Sequence, residues 1–205
     1  MARGVARGED GRTARSQRTR DMAVDALLDL LREGVVHPTV ADVAARTGVT
    51  ARSIHAKFTS VEALHRAAVD RATARVLERI EPVDVDAPLA DRIEALCRQR
   101  ATIHEYLAPL RRVARAREAT SAPLAEARAS ALAAAREQVD RVFAPELRAL
   151  TPAARRRTAA AVDAVAGDGS WELWRDGHGL APAAARRTMV EAVTRLLVGV
   201  DVRPR

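Results

Sequence analysis

Residues 39–58 read TVADVAARTGVTARSIHAKF, and they leave the chain little freedom in how it folds. Thr39 suits a helix N-cap, where a hydroxyl accepts from an orphan amide of the first turn, and Asp42 puts a carboxylate where the helix dipole favours it. Val40, Val43 and Ala44 give a short apolar face. Gly48 then breaks the helix. Thr50 caps the next one, whose inward residues are Ile54 and Phe58. With only Gly48 and Val49 between them, the two helices cannot lie antiparallel and must cross steeply, as in a helix-turn-helix. The second helix then exposes Ala51, Arg52, His55 and Ala56, a face that fits a DNA major groove. The same spacing also serves as a plain structural corner in helical proteins, so on its own it leaves both readings open.

The flanking residues extend the pattern. Met22, Ala23, Ala26, Leu27, Leu30 and Leu31 fall on one face of a helix from about Thr19 to Glu33, which Gly34 is placed to stop. Ser60 caps a fourth helix with Glu62 in its first turn and Leu64, Ala67 and Ala68 facing inward, reaching toward Ile80. Residues 1–18 are rich in Gly and Arg and lack periodicity; they read as a flexible basic arm or as an ordinary loose terminus.

Beyond EPVDVDAP (81–88), a Pro-bearing linker, helical stretches are expected at 89–105, 107–119, 122–143, 152–176 and 182–200, punctuated by Pro109, Pro123, Pro145, Pro152 and Pro182. No strand-like alternation of useful length interrupts them. Ala, Val and Leu dominate an apolar content of 48%, against 2% aromatic residues, and Ala and Leu are strong helix formers. The expectation is an all-α chain of about nine helices. A helix-turn-helix domain over 19–66 would precede a helical domain over 67–205.

The net charge of +7 and the pI of about 11.0 suit a polyanionic partner without proving one. Cys97 is the single cysteine. It excludes an intrachain disulfide and fits a reducing compartment. With no long apolar run and no apolar core at the start, the sequence predicts a soluble, cytoplasmic protein. Nothing argues for catalysis: GxSxG, a Gly-rich phosphate loop, HExxH and metal-spaced Cys/His clusters are all missing, and His37, His55, His65, His104 and His178 are scattered. No cofactor or metal is expected.

The segment DVAARTGVTARSIHAKF, the helix before it, the cap at Ser60 and the EAL of 62–64 together closely resemble the N-terminal domain of TetR-family transcriptional repressors. The specific match covers roughly residues 19–65. The rest agrees in length and helix order, and in a tail, LWRDGHGLAPAAARRTMVEAVTRLLVG, similar to the last two helices of many members. The resemblance implies a homodimer of Ω-like shape, with two reading domains in successive major grooves of a palindromic double-stranded DNA operator. It also implies a small-molecule effector in the C-terminal domain that moves the fourth helix and releases the DNA.

By position, the resemblance gives Thr39 and Thr50 hydroxyls or helix-start amides to phosphates, and sets Ala51, Arg52 and Ala56 against bases. Arg52 is the side chain there able to read guanine by a bidentate pair. Ser53 and Lys57 would contact phosphates, and Arg15 and Arg18 the backbone or minor groove. Two positions depart from the family. His55 stands where most members have Tyr, and Val61 where many have Lys. His55 can still donate to a phosphate and would make binding pH-sensitive; Val61 removes one phosphate contact.

In the C-terminal domain, the rare large or polar residues Cys97, Arg100, His104, Tyr106, Phe143, Trp171 and Trp174 are candidates for a ligand pocket, with Cys97, Arg100 and His104 on one helical face. Plain core packing explains a lone His or Trp equally. Val162, Ala166, Met189, Val193, Leu196 and Leu197 mark the apolar stripes of the last two helices, in which Ala159, Leu173, Trp174 and Val200 also fall. The stripes serve a dimer interface, the internal core, or both. Gly167-Asp168-Gly169 predicts a kink, a close helix approach, or a loop that splits the long helix. Two other functions stay open: non-specific DNA coating, and small-molecule binding on the same fold with weak DNA recognition.

Overall fold

The computed structural model describes residues 6–35, 37–118 and 121–198. Residues 1–5 of the expected arm and Val200 lie outside them. The described residues form ten α-helices and one π-helical turn, with no strand. The helices are α1 (Ala6–Arg32), α2 (Val40–Thr47), α3 (Ala51–His55), α4 (Val61–Leu77), α5 (Leu89–Glu118), α6 (Ala122–Val142), α7 (Ala144–Arg148), α8 (Pro152–Val165), α9 (Asp168–Glu172) and α10 (Pro182–Val198); the π turn is Leu173–Gly177. They belong to two compact units. The first takes the described residues of Met1–Arg75 and Leu107–Ala127, the second those of Val76–Tyr106 and Arg128–Arg205.

In the first unit, α1 packs on α2 and α3. It ends at Gly34, where φ is +89°. The Gly34 amide donates to Leu31 O at 3.2 Å and the Val35 amide to Leu30 O at 3.0 Å, a Schellman closure that satisfies two orphan carbonyls. The expected Ala23, Ala26, Leu27, Leu30 and Leu31 are buried, and Val24 and Leu28 join them. Met22 is a correction: it is 45% exposed. The buried face is centred on Ala23, Val24, Leu27 and Leu28 rather than on Met22, and α4 is tied to α1 by ion pairs. Arg71 binds Asp21 and Asp25, and Arg75 Nη2 meets Asp25 Oδ1 at 2.7 Å.

The start of α1 also differs from expectation. The helix begins at Ala6 rather than near Thr19, so described residues of the expected arm are helical. Arg, Ala and Gln over 12–20 favour a helix, and no proline interrupts them. Local bonds support it: Gln17 Nε2 donates to Asp21 Oδ1 at 3.2 Å and Thr19 Oγ1 to Arg15 O at 3.1 Å. The unit is completed by Leu107, Leu110, Val113 and Leu124, all buried, and by Arg66, which donates to Pro123 O at 2.9 Å.

The second unit has a core of Ile93, Leu96, Cys97, Val139, Val142, Phe143, Leu147, Val162, Trp171, Met189 and Val193, among others. Arg92 is buried against it and binds Glu146 at 2.6 and 2.9 Å and Val142 O at 2.6 Å. Mutual hydrogen bonding holds the Glu146 carboxyl below its ordinary range and pushes the Arg92 guanidinium up.

Three helix boundaries depart from expectation. Proline ordinarily stops a helix, yet α5 runs through Pro109 as one helix, with Leu107 and Leu110 on either side buried. The stretch 122–143 is followed by a separate short helix, α7, entered through Pro145 in its first turn. The stretch 152–176 is split at Gly167 into α8, α9 and the π turn. The Ala166 amide closes α8 on Val162 O at 2.8 Å, and Gly167 then takes an extended conformation as the N-cap of α9. A Cβ on Gly167 would lie 3.0 Å from Asp163 O and 3.2 Å from Ala164 O, so the corner needs glycine for space.

Candidate nucleic-acid interface

α3 is positioned by the caps of α2 and α3 and by the turn between them. Thr39 is an N-cap in a capping box: Asp42 N donates to Thr39 Oγ1 at 3.2 Å, and Thr39 N donates to Asp42 Oδ2 at 2.8 Å. The Thr39 hydroxyl donates to the same carboxylate at 2.7 Å. Those two donors from Thr39, amide first, hold the Asp42 carboxyl below its usual range. The Thr39 hydroxyl proton is thus committed within the chain.

α2 ends at Gly48, whose φ of +69° lets its amide return to Ala44 O at 3.0 Å. Thr47 Oγ1 reaches Val43 O at 2.9 Å and accepts from the Val49 amide at 3.2 Å, bracing the two-residue connection. Thr50 then caps α3: its Oγ1 accepts from Ser53 N at 3.2 Å and pairs with Ser53 Oγ at 2.9 Å. Val43, Ile54 and Phe58 are buried, and burying an apolar side chain of this size contributes ~1.5–3 kcal/mol. These anchors leave Arg52, His55 and Ala56 exposed on the far side of α3, with Ala51 and Ser53 half-buried at its start. Of the four side chains that the spacing puts on the outer face, Arg52, His55 and Ala56 are exposed and Ala51 is half-buried.

Lys57 has a different setting from the one expected. Its side chain is half-buried, and Nζ donates to Ser16 Oγ of α1 at 2.8 Å. Arg20 of α1 adds a second tie: it donates to Lys57 O at 3.1 Å and lies over the Phe58 ring, 4.6 Å from its centroid. Sequence reasoning missed Ser16 and Arg20, because nothing in a linear pattern pairs residues about forty positions apart. Arg15 and Arg18 are exposed on the same stretch of α1. Arg46 is ion-paired with Glu33 at 2.6 and 2.7 Å, which pulls the Glu33 carboxyl down. Arg52 and His55 on α3 and Arg15 and Arg18 on α1 are exposed, and α1 is tied to the end of α3 through Ser16 and Arg20. Guanidinium groups so placed can pair with phosphates or with guanine edges.

The candidate pocket residues are only partly brought together. Cys97, Phe143, His104 and Trp171 sit in the core of the second unit. Burial pushes the Cys97 thiol up to about 12. His104 Nε2 lies 2.9 Å from Ala166 O, and because a carbonyl only accepts, Nε2 carries the proton. The His104 and Trp171 ring centroids are 6.0 Å apart, and Trp171 Nε1 donates to Glu105 Oε1 at 2.9 Å. Arg100 is buried nearby, while Trp174 is half-buried at the core's edge. Tyr106 lies apart from these, in an open groove of about 580 Å³ that Thr102, Glu105, Pro182 and Arg186 also line.

Of the interface candidates, Val162, Ala166, Met189 and Val193 are fully enclosed in the chain's own core. Leu196 and Leu197 pack at its edge and stay partly accessible. Leu173, placed on the same stripe, is 56% exposed and opens the π turn. Among the described residues no His, Cys, Asp and Glu side chains cluster as a metal site, and no helix is long and apolar enough to cross a membrane.

No protein-family model and no curated protein matches the chain. Among solved structures, the fold is similar to that of a transcriptional regulator from Rhodococcus sp. Rha1, with a TM-score of 0.68 and 22% identity over 90% of this chain and 99% of that one. The helical architecture is therefore shared, over nearly the whole of both chains, with a protein described as a regulator of transcription.

Proposed function

We propose that the chain is a DNA-binding transcriptional regulator of the TetR type. It acts as a homodimeric cytoplasmic repressor on a palindromic operator and is released when a small molecule binds the second unit. The observation that carries this reading is the α2–Gly48–α3 corner, closed by caps on both helices and leaving Arg52, His55 and Ala56 exposed on one face. The fold shared with the Rhodococcus regulator supports it. Arg52 reads a base, His55 and the starts of α2 and α3 hold phosphates, and Arg15 and Arg18 add backbone contacts. In the second unit the effector meets the face of α5 that carries Arg100 and His104. The partly accessible Leu196 and Leu197, with exposed Leu173 and Val198, offer apolar surface to a second copy. The chain has no enzymatic role in this scheme.

Selection of bound duplexes from a random pool tests it. Enrichment of a palindrome with half-sites about one helical turn apart is the expected result. An unenriched pool with a folded dimer favours the second reading, a small-molecule binder with weak or non-specific DNA affinity. That reading draws on Val61, at a position where many members of the TetR family carry Lys, and on a Lys57 amine already engaged by Ser16.

A further inference from the structure

Arg100 of α5 is a buried charge without a matching one. It is 7% exposed, its Nη2 donates to Ala135 O of α6 at 2.9 Å, and its Nε is buried with no acceptor. Arg92, eight positions earlier on the same helix, shows the usual solution, a bidentate carboxylate from Glu146 at 2.6 and 2.9 Å. Arg100 has none. Asp163 acts on it through space, but the ion pair Asp163 makes is with Arg136 at 3.6 Å. Taking a guanidinium out of water without a close counter-charge is unfavourable. Such a cost is sustained where an external group supplies the missing charge, as binding sites are commonly unfavourable to stability.

We infer that Arg100 anchors an anionic effector, a carboxylate carried on an apolar body. The guanidinium fork matches a carboxylate in geometry as well as charge. Cys97 and His104 share the helix face of Arg100 one turn away on either side, and the indole of Trp171 lies beside His104, so the residues around the guanidinium are buried and largely apolar or aromatic. This inference rests on the effector-binding half of the proposed function and names the class of effector.

The test uses sodium benzoate as the probe, benzamide as its neutral isostere, and sodium chloride to match ionic strength, on the full chain. Without probe, Arg100→Met melts about 3 °C or more above the unmodified protein, because an uncompensated charge is replaced by an apolar side chain of similar length. Benzoate raises the melting temperature of the unmodified protein in a dose-dependent way. Benzamide does not, Arg100→Met does not respond, and Arg100→Lys keeps part of the shift. The inference is overturned if Arg100→Met melts at or below the unmodified protein or fails to fold, since Arg100 is then a structural ion. It is overturned equally if benzoate stabilises neither protein or both alike. No readout involves DNA, so a failure of operator binding and a failure of this inference are seen separately.

Discussion

The ammonium of Lys57, just past α3, donates to the hydroxyl of Ser16 on α1 at 2.8 Å. This bond and the Arg20 tie fix the orientation of the arginine-bearing stretch of α1 against α3. Lys57→Met and Ser16→Ala should each destabilise the fold modestly, and the double variant should cost less than their sum. A coupling of about 0.5–1.5 kcal/mol is expected from a double-mutant cycle in urea. Strict additivity would show that the bond contributes nothing in solution.

Arg52 is exposed and anchors nothing in the fold. Arg52→Ala should leave the melting temperature within about 1 °C while relaxing discrimination at one base pair by ~1–3 kcal/mol. Competition gel shifts with single-base operator variants read this directly. A uniform loss across all sequences would reassign Arg52 to a phosphate.

Glu146 is held below its ordinary pKa chiefly by the hydrogen bonds from Arg92. A folded-state value lower than the unfolded one stabilises the protein fully above the ordinary carboxylate range. That contribution is lost as the pH falls through the depressed value. Glu146→Gln should therefore flatten the acid limb of the stability curve. At neutral pH it should cost ~3 kcal/mol, because Arg92 keeps its charge in a buried place. Urea melts from pH 7 downward test both statements.

Two glycines two residues apart should respond oppositely to alanine. Gly167→Ala drives a Cβ against two backbone carbonyls, at 3.0 and 3.2 Å, and should be destabilising. Gly169 sits inside α9 with nothing within 4 Å of an added Cβ. Gly169→Ala should gain up to ~1 kcal/mol from helix propensity and a less flexible unfolded chain. Thermal melts of the two variants, compared side by side, decide it.

Cys97 is fully buried, and its thiol is pushed up to about 12 by burial, with the Glu94 charge adding to it. A thiol reagent at neutral pH should label the native protein only as fast as it opens, and label it promptly in denaturant. Prompt labelling of native protein would contradict the core described above.

Caps and apolar spacing made the α2–α3 corner legible in the sequence because the bonds that cap its helices are local. Thr39, Gly48 and Thr50 each satisfy backbone groups within about five residues. The second unit was legible in class but not in detail. α5 continues through Pro109, where local propensity predicts a stop, and the long stretch after Pro152 gives way to a π turn at Leu173, which no apolar period announces. Likewise, the stripe with Val162, Met189 and Val193 could not be assigned between core and surface from its period alone. Lys57 was read as a phosphate contact, and its bond to Ser16 was missed because Ser16 lies on a stretch without periodicity.

The locality of the corner has a kinetic consequence. Its capping bonds close loops of three residues, whereas the second unit must bring Arg92 to Val142, His104 to Ala166 and Arg186 to Glu94, across separations of 50, 62 and 92 residues. Loop-closure entropy rises with separation, and folding slows as contacts become less local. On a ribosome or after dilution from denaturant, the corner acquires its native turns early, and the interior around Arg100 is the part of the molecule whose assembly sets the pace.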